Sequence, residues 1–387
     1  MRSKKILMVA GEVSGDLHGA HLMGAIQSLD PGIRFFGVGG EGMERMGMKL
    51  LYPSQSLSVV GITEVFFRLG TILRALRGLK GFLDREKPDL VILIDFPDFN
   101  FRVARIAHER EIPVLYYISP QVWAWRSGRV KQIARWVKKM VVFFPFEVPI
   151  YERAGAEVAW VGHPLVDLVK PTLSKKEGCE RFGLNPEGRI VGLLPGSRIH
   201  EVRRLLPPLL AAAELLKKEI PALQFVIPQA PGIPGETFAS GIENASISVR
   251  VVEGHAYDVM NLCDLLITAS GTATLEGAIL GKPMVIVYKV STLSYWIGRA
   301  LIHVDHIGLV NLVSGERIAP ELIQKDANPG RIAEEGLRIL RDPALYRKMS
   351  DSMVKIRQSL GDPGAAGRAA RIVCELLEER PQSIIAN

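Results

Sequence analysis

The stretch Ile190–Arg204, IVGLLPGSRIHEVRR, constrains the fold of this chain more than any other. Its five opening residues, Ile190 to Leu194, have the length and composition of a strand buried on both faces. Pro195-Gly196-Ser197 breaks the run, and from Arg198 onward the spacing is helical. A buried strand that ends in a Gly/Ser turn and feeds a helix belongs to an α/β layer. It also aims backbone N–H groups and the positive helix end at one point, which suits a phosphate. Arg198 adds a fork of donors matched to phosphate oxygens, with Ser197 beside it. An ordinary strand-to-helix turn with a surface arginine has the same letters, so the neighbouring segments decide.

Those segments repeat the pattern. In the first half Lys5–Ala10, Ile33–Val38, Val91–Ile94, Val114–Ile118, Met140–Phe144 and Val158–Val161 read as strands, with helical spacing in Leu17–Leu29 and Gly128–Val137. In the second half the strands are Ile190–Leu194, Gln224–Ile227, Ile247–Val252, Leu265–Thr268 and Met284–Tyr288, with helices Leu205–Glu219 and Thr274–Leu280. Alternating strands and helices predict parallel sheets whose working edge lies at the strand carboxyl ends. At 387 residues the chain is too long for one typical core. The expected organisation is therefore an N-terminal Rossmann-like domain over 1–170, a polar linker over 171–189, a second Rossmann-like domain over 190–345, and a helical tail over 346–387 that packs back on the N-terminal domain. Two such halves predict a cleft between them.

Four segments carry candidate chemistry. Ala269-Ser270-Gly271-Thr272-Ala273-Thr274-Leu275-Glu276 repeats the strand–turn–helix logic of the PGSR loop, with Gly271 permitting close approach and Thr272 and Thr274 supplying hydroxyls. Glu276 falls in the first helical turn, where a carboxylate accepts both hydroxyls of a ribose or simply favours the helix N-terminus. Asn311 in GLVNLV is a further candidate for reaching the nucleotide. In the first half, GEVSGD is a Gly-bounded loop offering Glu12, Ser14 and Asp16 to the opposite wall. In Ile94-Asp95-Phe96-Pro97-Asp98-Phe99-Asn100, two carboxylates follow a strand end, where a general base belongs. Desolvation by Phe96, Phe99 and Phe101 would raise basicity there. Asp98 is favoured over Asp95 as that base, with an N-cap role as its plain alternative. Ser119-Pro120-Gln121-Val122-Trp123-Ala124-Trp125-Arg126 reads as a ligand wall.

Other features bound the function. A net charge of +7 and a pI near 9.3 point to an acidic partner such as a nucleotide or an anionic membrane. Cys179, Cys263 and Cys374 are widely spaced and odd in number, as in a cytosolic protein with reduced thiols and no metal cluster. His303-Val304-Asp305-His306 has no matching second cluster, so no metal and no cofactor are expected. Gly37-Val38-Gly39-Gly40-Glu41-Gly42, with Glu64 downstream, matches a dinucleotide fingerprint but follows the second strand and leads into a Met/Arg segment rather than a clean helix. The apolar run Ile6–Ala10 is too short for a signal peptide, and no window has the length of a membrane span. Ser58–Phe82 mixes large apolar residues with Arg68, Arg74, Arg77 and Lys80, which fits an interfacial helix, an acyl-chain wall or a plain amphipathic core helix. Leu293–Val304 has a similar character.

GEVSGD, IDFPDFN, SPQVWAWR, FFPFE, GHP, LLPGSR and ASGTATLE occur in the order found in lipid-A-disaccharide synthases, and the chain resembles that family closely from Gly11 to Asn311. The resemblance implies an inverting, metal-independent GT-B glycosyltransferase of family 19. It implies condensation of UDP-2,3-diacylglucosamine with 2,3-diacylglucosamine 1-phosphate to a disaccharide 1-phosphate and UDP. On this reading Asp98 takes the proton from the acceptor 6-hydroxyl, Arg198 and the Ser197 loop hold the departing diphosphate, and Glu276 takes the ribose. Gly271, Thr272 and Asn311 lie near the nucleotide, with Glu12 and Ser14 opposite. Val13 stands where some relatives carry Thr. The family is cytoplasmic, attaches peripherally to the inner-membrane surface, and forms homodimers that exchange C-terminal segments. A UDP-N-acetylglucosamine 2-epimerase-like enzyme is the alternative. A basic nucleic-acid or membrane-binding module is opposed, for nucleic acid, by 7% aromatic content and the absence of Lys/Arg tracts.

Overall fold

The computed structural model describes residues 3–57, 62–120, 128–290 and 306–379. The chain divides into two compact units, Met1–Pro164 together with Asp362–Asn387, and Leu165–Gly361.

The first unit holds strands β1 (Lys5–Ala10), β2 (Arg34–Gly39), β3 (Lys49–Pro53), β4 (Leu90–Ile94), β5 (Val114–Tyr117), β6 (Lys139–Val142) and β7 (Val158–Trp160). They form one sheet in the order β3-β2-β1-β4-β5-β6-β7, and every pairing is parallel. The side-chain period of two divides each strand between two apolar layers. Leu7, Val9, Val91, Leu93, Val114, Tyr116, Met140 and Val142 point into one layer. Ile6, Met8, Ile92, Ile94, Leu115, Tyr117 and Val141 point into the other, beneath the helices Val13–Leu29 and Ala365–Glu378. That is why these strands read as unbroken apolar runs rather than as alternating ones.

The second unit repeats the plan with β8 (Ile190–Leu194), β9 (Gln224–Gln229), β10 (Val249–Glu253), β11 (Leu265–Ala269), β12 (Met284–Tyr288) and β13 (Glu321–Ile323). Their order is β10-β9-β8-β11-β12-β13, again all parallel.

Several elements differ from the sequence expectation. β3 and β13 were not foreseen: both are short, half-exposed edge strands without a long apolar run. The expected linker contains the helix Lys175–Phe182, opened by a capping box in which Ser174 and Glu177 serve each other's backbone. Ahead of it, the buried Asp258 carboxylate accepts the N–H groups of Thr172 and Leu173 at 2.6 and 2.8 Å, fixing that segment to the second unit. The C-terminal tail is shared out. The helix Pro343–Ser359 stays in the second unit, while Ala365–Glu378 returns to the first, where the Arg368 Nε donates to the Val161 carbonyl at 2.8 Å.

No helix among the described residues is long and apolar enough to cross a membrane. Most of Ser58–Phe82 falls in the helix Ile62–Glu86, whose Ala75, Leu76, Leu79, Phe82 and Leu83 are core residues of the first unit. Residues 58–61 and 293–304 lie outside the described residues, as do His303 and Asp305 of the histidine motif.

Because the returning helix Ala365–Glu378 covers one face of the first sheet with Ala369, Val373, Leu376 and Leu377, Leu377→Ala is expected to cost about 2–5 kcal/mol of stability, read from denaturant unfolding of the whole chain. A loss below about 0.5 kcal/mol would place this helix outside the core.

Candidate active site

In each sheet the chain order reverses once, between β1 and β4 in the first and between β8 and β11 in the second. At such a reversal the two crossovers leave to opposite faces, so the strand carboxyl ends are left facing open space. The segments after these four strands are Gly11-Glu12, Asp95-Phe96, Pro195-Gly196-Ser197-Arg198 and Ser270-Gly271-Thr272. Nearly every candidate residue from the sequence thus follows one of the four strands at the two reversal points.

In the first unit, β4 ends in a strained turn. Asp95 and Phe96 both take left-handed conformations, with φ of 46° and 49°. Three hydrogen bonds from two side chains hold the turn. The Asp95 carbonyl accepts from Asn100 Nδ2 at 2.6 Å and from the Tyr116 hydroxyl at 2.8 Å, and Asn100 also donates to the Ile94 carbonyl at 3.2 Å. On the neighbouring strand, a Cβ on Gly11 would meet the Phe96 ring at 2.2 Å, so only glycine lets these strand ends lie together. The Asp95 carboxyl is pushed up to about 6, chiefly by burial and further by the Glu12 charge.

The surroundings of Asp98 differ from those expected of it. It is the second residue of the helix Pro97–His108, is exposed, and borders a shallow groove with Arg102, Arg105, Gln132 and Trp136. The desolvation argued for Asp98 is found at Asp95. Phe99 and Phe101 turn into the core instead of shielding Asp98. Nor is Asp98 the N-cap, a position held by Phe96.

GEVSGD is also not a loop throughout. The helix begins at Val13, leaving Gly11 and Glu12 as the connection and Ser14 exposed on the first turn. Asp16 is fully engaged, its carboxylate accepting from the N–H groups of Gly40, Gly42 and Met43 at 2.7–3.1 Å. A carboxylate of the protein therefore fills the anion-binding turn of the GVGGEG motif, which accounts for its dinucleotide-like spelling.

One turn beyond Ser14, the His18 ring meets Phe143 edge-on at 5.6 Å, and His163 of the GHP motif lies 5.4 Å from Phe143 and 5.0 Å from Phe144. Burial holds both imidazoles neutral, His18 down to about 4 with His21 adding, and His163 down to about 3 with His18 adding. Buried Ser119, Asn100 and Glu147 complete the polar residues near these strand ends. Sequence reasoning passed over Tyr116 and Tyr151, and it noted the Asn100 amide and the GHP motif of His163 without giving either a role; their signal is a polar atom on an otherwise apolar core position. Gln121–Arg126 of the proposed ligand wall lie outside the described residues.

In the second unit, Gly196 has φ of 119° and a Cβ there would strike Glu201 at 2.6 Å. Glu201 folds back over the turn, its carboxylate accepting from the N–H groups of Ser197 and Arg198 at 3.2 and 3.3 Å and from Arg198 Nη1 at 2.9 Å. Ser197 and Arg198 are exposed at the start of the 21-residue helix Ile199–Glu219. Across the reversal point, the helix Thr272–Ile279 presents Thr272 outward, and no atom lies within 4 Å of a Cβ built on Gly271. Thr274 is buried and donates to the Gly271 carbonyl at 2.8 Å, a capping role. Burial alone raises the Glu276 carboxyl to about 7. Asn311 has a different task from the one expected. It is fully buried, its Nδ2 donating to the Ala319 carbonyl and to Glu321 Oε1, both at 2.8 Å, and its Oδ1 accepting from the Ala319 N–H at 2.9 Å. Among the described residues no group of three His, Cys, Asp or Glu side chains is arranged to hold a metal ion.

This geometry offers a basic carboxylate in one unit and, in the other, two N–H-rich turns with an arginine and a desolvated carboxylate, suited to a nucleoside diphosphate. Residues 6–372 match the family described as lipid-A-disaccharide synthetase. A lipid-A-disaccharide synthase of Geobacter sulfurreducens is 50% identical over 97% of this chain and 98% of its own, and one of Syntrophus aciditrophicus is 49% identical over 98% and 99%. Among solved structures, a UDP-GlcNAc 2-epimerase of Neisseria meningitidis bound to UDP-GlcNAc superposes with a TM-score of 0.64 at 16% identity, covering 97% of this chain and 100% of that one. A calicheamicin glycosyltransferase gives 0.62 at 17%, covering 98% and 100%. At such identities the likeness is one of fold, the GT-B arrangement of two Rossmann-like domains.

His18 and His163 give this half of the site a pH-dependent stability. Both titrate below the ordinary 6.5, so on acidification the unfolded chain takes up protons first. Stability is complete above about pH 6.5 and falls as the pH drops toward 4, with a loss of about 2 kcal/mol per histidine by pH 5. Urea unfolding across that range should show the slope, and His18→Leu should reduce it by about half; a wild-type profile already flat from pH 7 to 5 would refute neutral burial.

Proposed function

Because the chain belongs to the lipid-A-disaccharide synthase family, it is a glycosyltransferase, and we propose that its two units divide the reaction between them. The enzyme condenses UDP-2,3-diacylglucosamine with 2,3-diacylglucosamine 1-phosphate, giving the disaccharide 1-phosphate and UDP. The first unit supplies the base and binds the acceptor; the second holds the UDP of the donor. The epimerases among the solved structures share the fold alone, so the epimerase alternative gains no support from them.

The base is Asp95. The observation that carries this assignment is its carboxyl, fixed in a strained turn at the reversal point of the first sheet and raised to about 6 by burial and by Glu12. A carboxylate with raised pKa is a stronger base yet is ionised at neutral pH. It takes the proton from the acceptor 6-hydroxyl as that oxygen attacks the anomeric carbon, and the bond to the diphosphate breaks on the opposite side with inversion. Asp98, exposed and one helical turn on, is the second reading. Ser14 offers a hydroxyl to the acceptor.

The departing diphosphate gains negative charge as the glycosidic bond breaks. Arg198, the N–H groups of Ser197 and Arg198 and the helix Ile199–Glu219 meet that charge, taking over the contacts Glu201 now makes. Glu276 accepts from the ribose hydroxyls, Gly271 leaves room for the ligand, and Thr272 opens the helix beside it. Asn311 supports this wall from beneath by fixing residues 308–321. Acyl chains on both substrates, with the net charge of +7, support peripheral attachment to the inner-membrane surface from the cytoplasm. Homodimerisation follows from the family resemblance.

UDP release from the donor, with and without acceptor, tests the assignment. Wild type should release UDP only with acceptor and form the disaccharide; Asp95→Asn should lose about 100-fold or more in kcat while remaining folded, and Asp98→Asn should lose far less. Wild-type kcat/KM should rise with pH through about 6, as Asp95 loses its proton. The reverse ranking of the two variants moves the base to Asp98, and no turnover by wild type removes the substrate assignment.

UDP binding carries a second pH signature. Glu276 must be ionised to accept two hydroxyls, and free it titrates near 7. Calorimetry should therefore find UDP affinity weakening as the pH falls below about 7, with Glu276→Gln weaker and flat across the range. An unchanged affinity in that variant would remove Glu276 from the ribose site.

A further inference from the structure

Beyond the base and the UDP contacts, a second strained strand end lies beside the first. β5 pairs with β4 in the register Ile94↔Tyr117, so the residue after Tyr117 is the neighbour of Asp95. That residue, Ile118, has φ of 72°, an outlier for a β-branched side chain. Its own N–H donates to the Val141 carbonyl at 3.1 Å, which ties the turn to β6. Ser119 and Pro120 follow, both buried, and they open the SPQVWAWR segment.

The side chain holding this turn comes from elsewhere in the unit. Tyr151, on the short helix Val148–Glu152, has no solvent exposure. Its hydroxyl lies 2.6 Å from Ser119 Oγ and donates to the Pro120 carbonyl at 3.2 Å. Packing alone does not explain a tyrosine here: a phenylalanine fills the same space without burying a hydroxyl, and an unsatisfied buried hydroxyl is costly. Both contacts of the Tyr151 hydroxyl fall on the two residues after the strained Ile118. On the adjacent strand end the Tyr116 hydroxyl does the same for Asp95. Two buried tyrosines thus each clamp one strained strand end.

We propose that Tyr151 is a positioning residue of the transferase reaction: its hydroxyl, through Ser119 and Pro120, fixes the turn Ile118–Pro120 beside Asp95 as a wall of the acceptor side. This deepens the synthase reading and rests on it. Pro120 has no N–H to anchor itself, so its carbonyl and the Ser119 hydroxyl are the polar handles by which the turn is held. A preorganised wall matters because small displacements at the reacting centre have large kinetic effects. Tyr151 does not touch the reacting atoms, and burial drives its phenol well above the ordinary range, so it stays a donor throughout.

The test is Tyr151→Phe in the full-length enzyme, with Ser119→Ala and the double variant. UDP affinity, held by the second unit, should stay within about twofold of wild type, while kcat/KM for the acceptor falls about tenfold or more, mostly in kcat. The double variant should be no worse than the poorer single one, as for two residues in one contact. Amide hydrogen exchange should quicken at Ile118 and Ser119 in Tyr151→Phe and stay as in wild type over β5, a readout that does not depend on the substrates. Wild-type kcat with unchanged exchange in Tyr151→Phe overturns the proposal. So does an equal loss in acceptor turnover and UDP affinity, which marks general destabilisation. If wild type itself fails to join the two substrates, the synthase reading falls, and the exchange result alone then decides whether Tyr151 holds the turn.

Discussion

All strands of both sheets are parallel, and a parallel sheet must be covered on both faces. Much of the architecture follows from that constraint. Each strand needs a crossover before the next can pair, the crossovers are helices, and their side chains form two apolar layers per sheet. Where the strand order reverses, at β1/β4 and at β8/β11, consecutive crossovers go to opposite faces and cover neither strand end. Those two places hold Glu12 and Asp95 in the first unit, and Arg198 and Glu276 in the second. The helix Ala365–Glu378 belongs to the same constraint, since the first sheet takes part of its cover from the far end of the chain.

At the first reversal point the backbone departs from ordinary geometry. Asp95, Phe96 and Ile118 take left-handed conformations on adjacent strand ends, each a departure that costs on the order of 1–3 kcal/mol. Such conformations persist only where surrounding contacts over-determine them. Here Asn100, Tyr116 and Tyr151 do so from buried positions. The result is a carboxyl held close to Glu12 and away from water, with its pKa near 6.

A second theme is the use of the chain's own carboxylates where an anion would bind. Asp16 takes the N–H groups of the GVGGEG turn, Asp258 those of Thr172 and Leu173, and Glu201 those of Ser197 and Arg198. Asp16 and Asp258 are part-buried or buried and act as permanent struts. Glu201 differs in that the turn it serves is exposed and carries an arginine, so a stronger anion can displace it.

The sequence by itself determined the fold class and the family. Its apolar runs are long because both faces of each strand are buried, and its Gly/Ser/Pro turns are conspicuous because the chain bends sharply at strand ends. PGSR and SGTATLE were legible as strand-to-helix turns for that reason, whereas Glu276, expected in the first helical turn, is the fifth residue of its helix. What only the tertiary structure decided was the environment of each polar group. Asp95 and Asp98 are three residues apart in one motif, yet the first ends a strand in a buried, strained turn and the second faces water from a helix. Asn311 looked like a ligand contact until its amide was found satisfied inside the second unit. Desolvation and hydrogen-bond satisfaction depend on residues far apart in the chain, such as Tyr116 for Asp95 and Tyr151 for Ser119, and local letters carry no record of that distance.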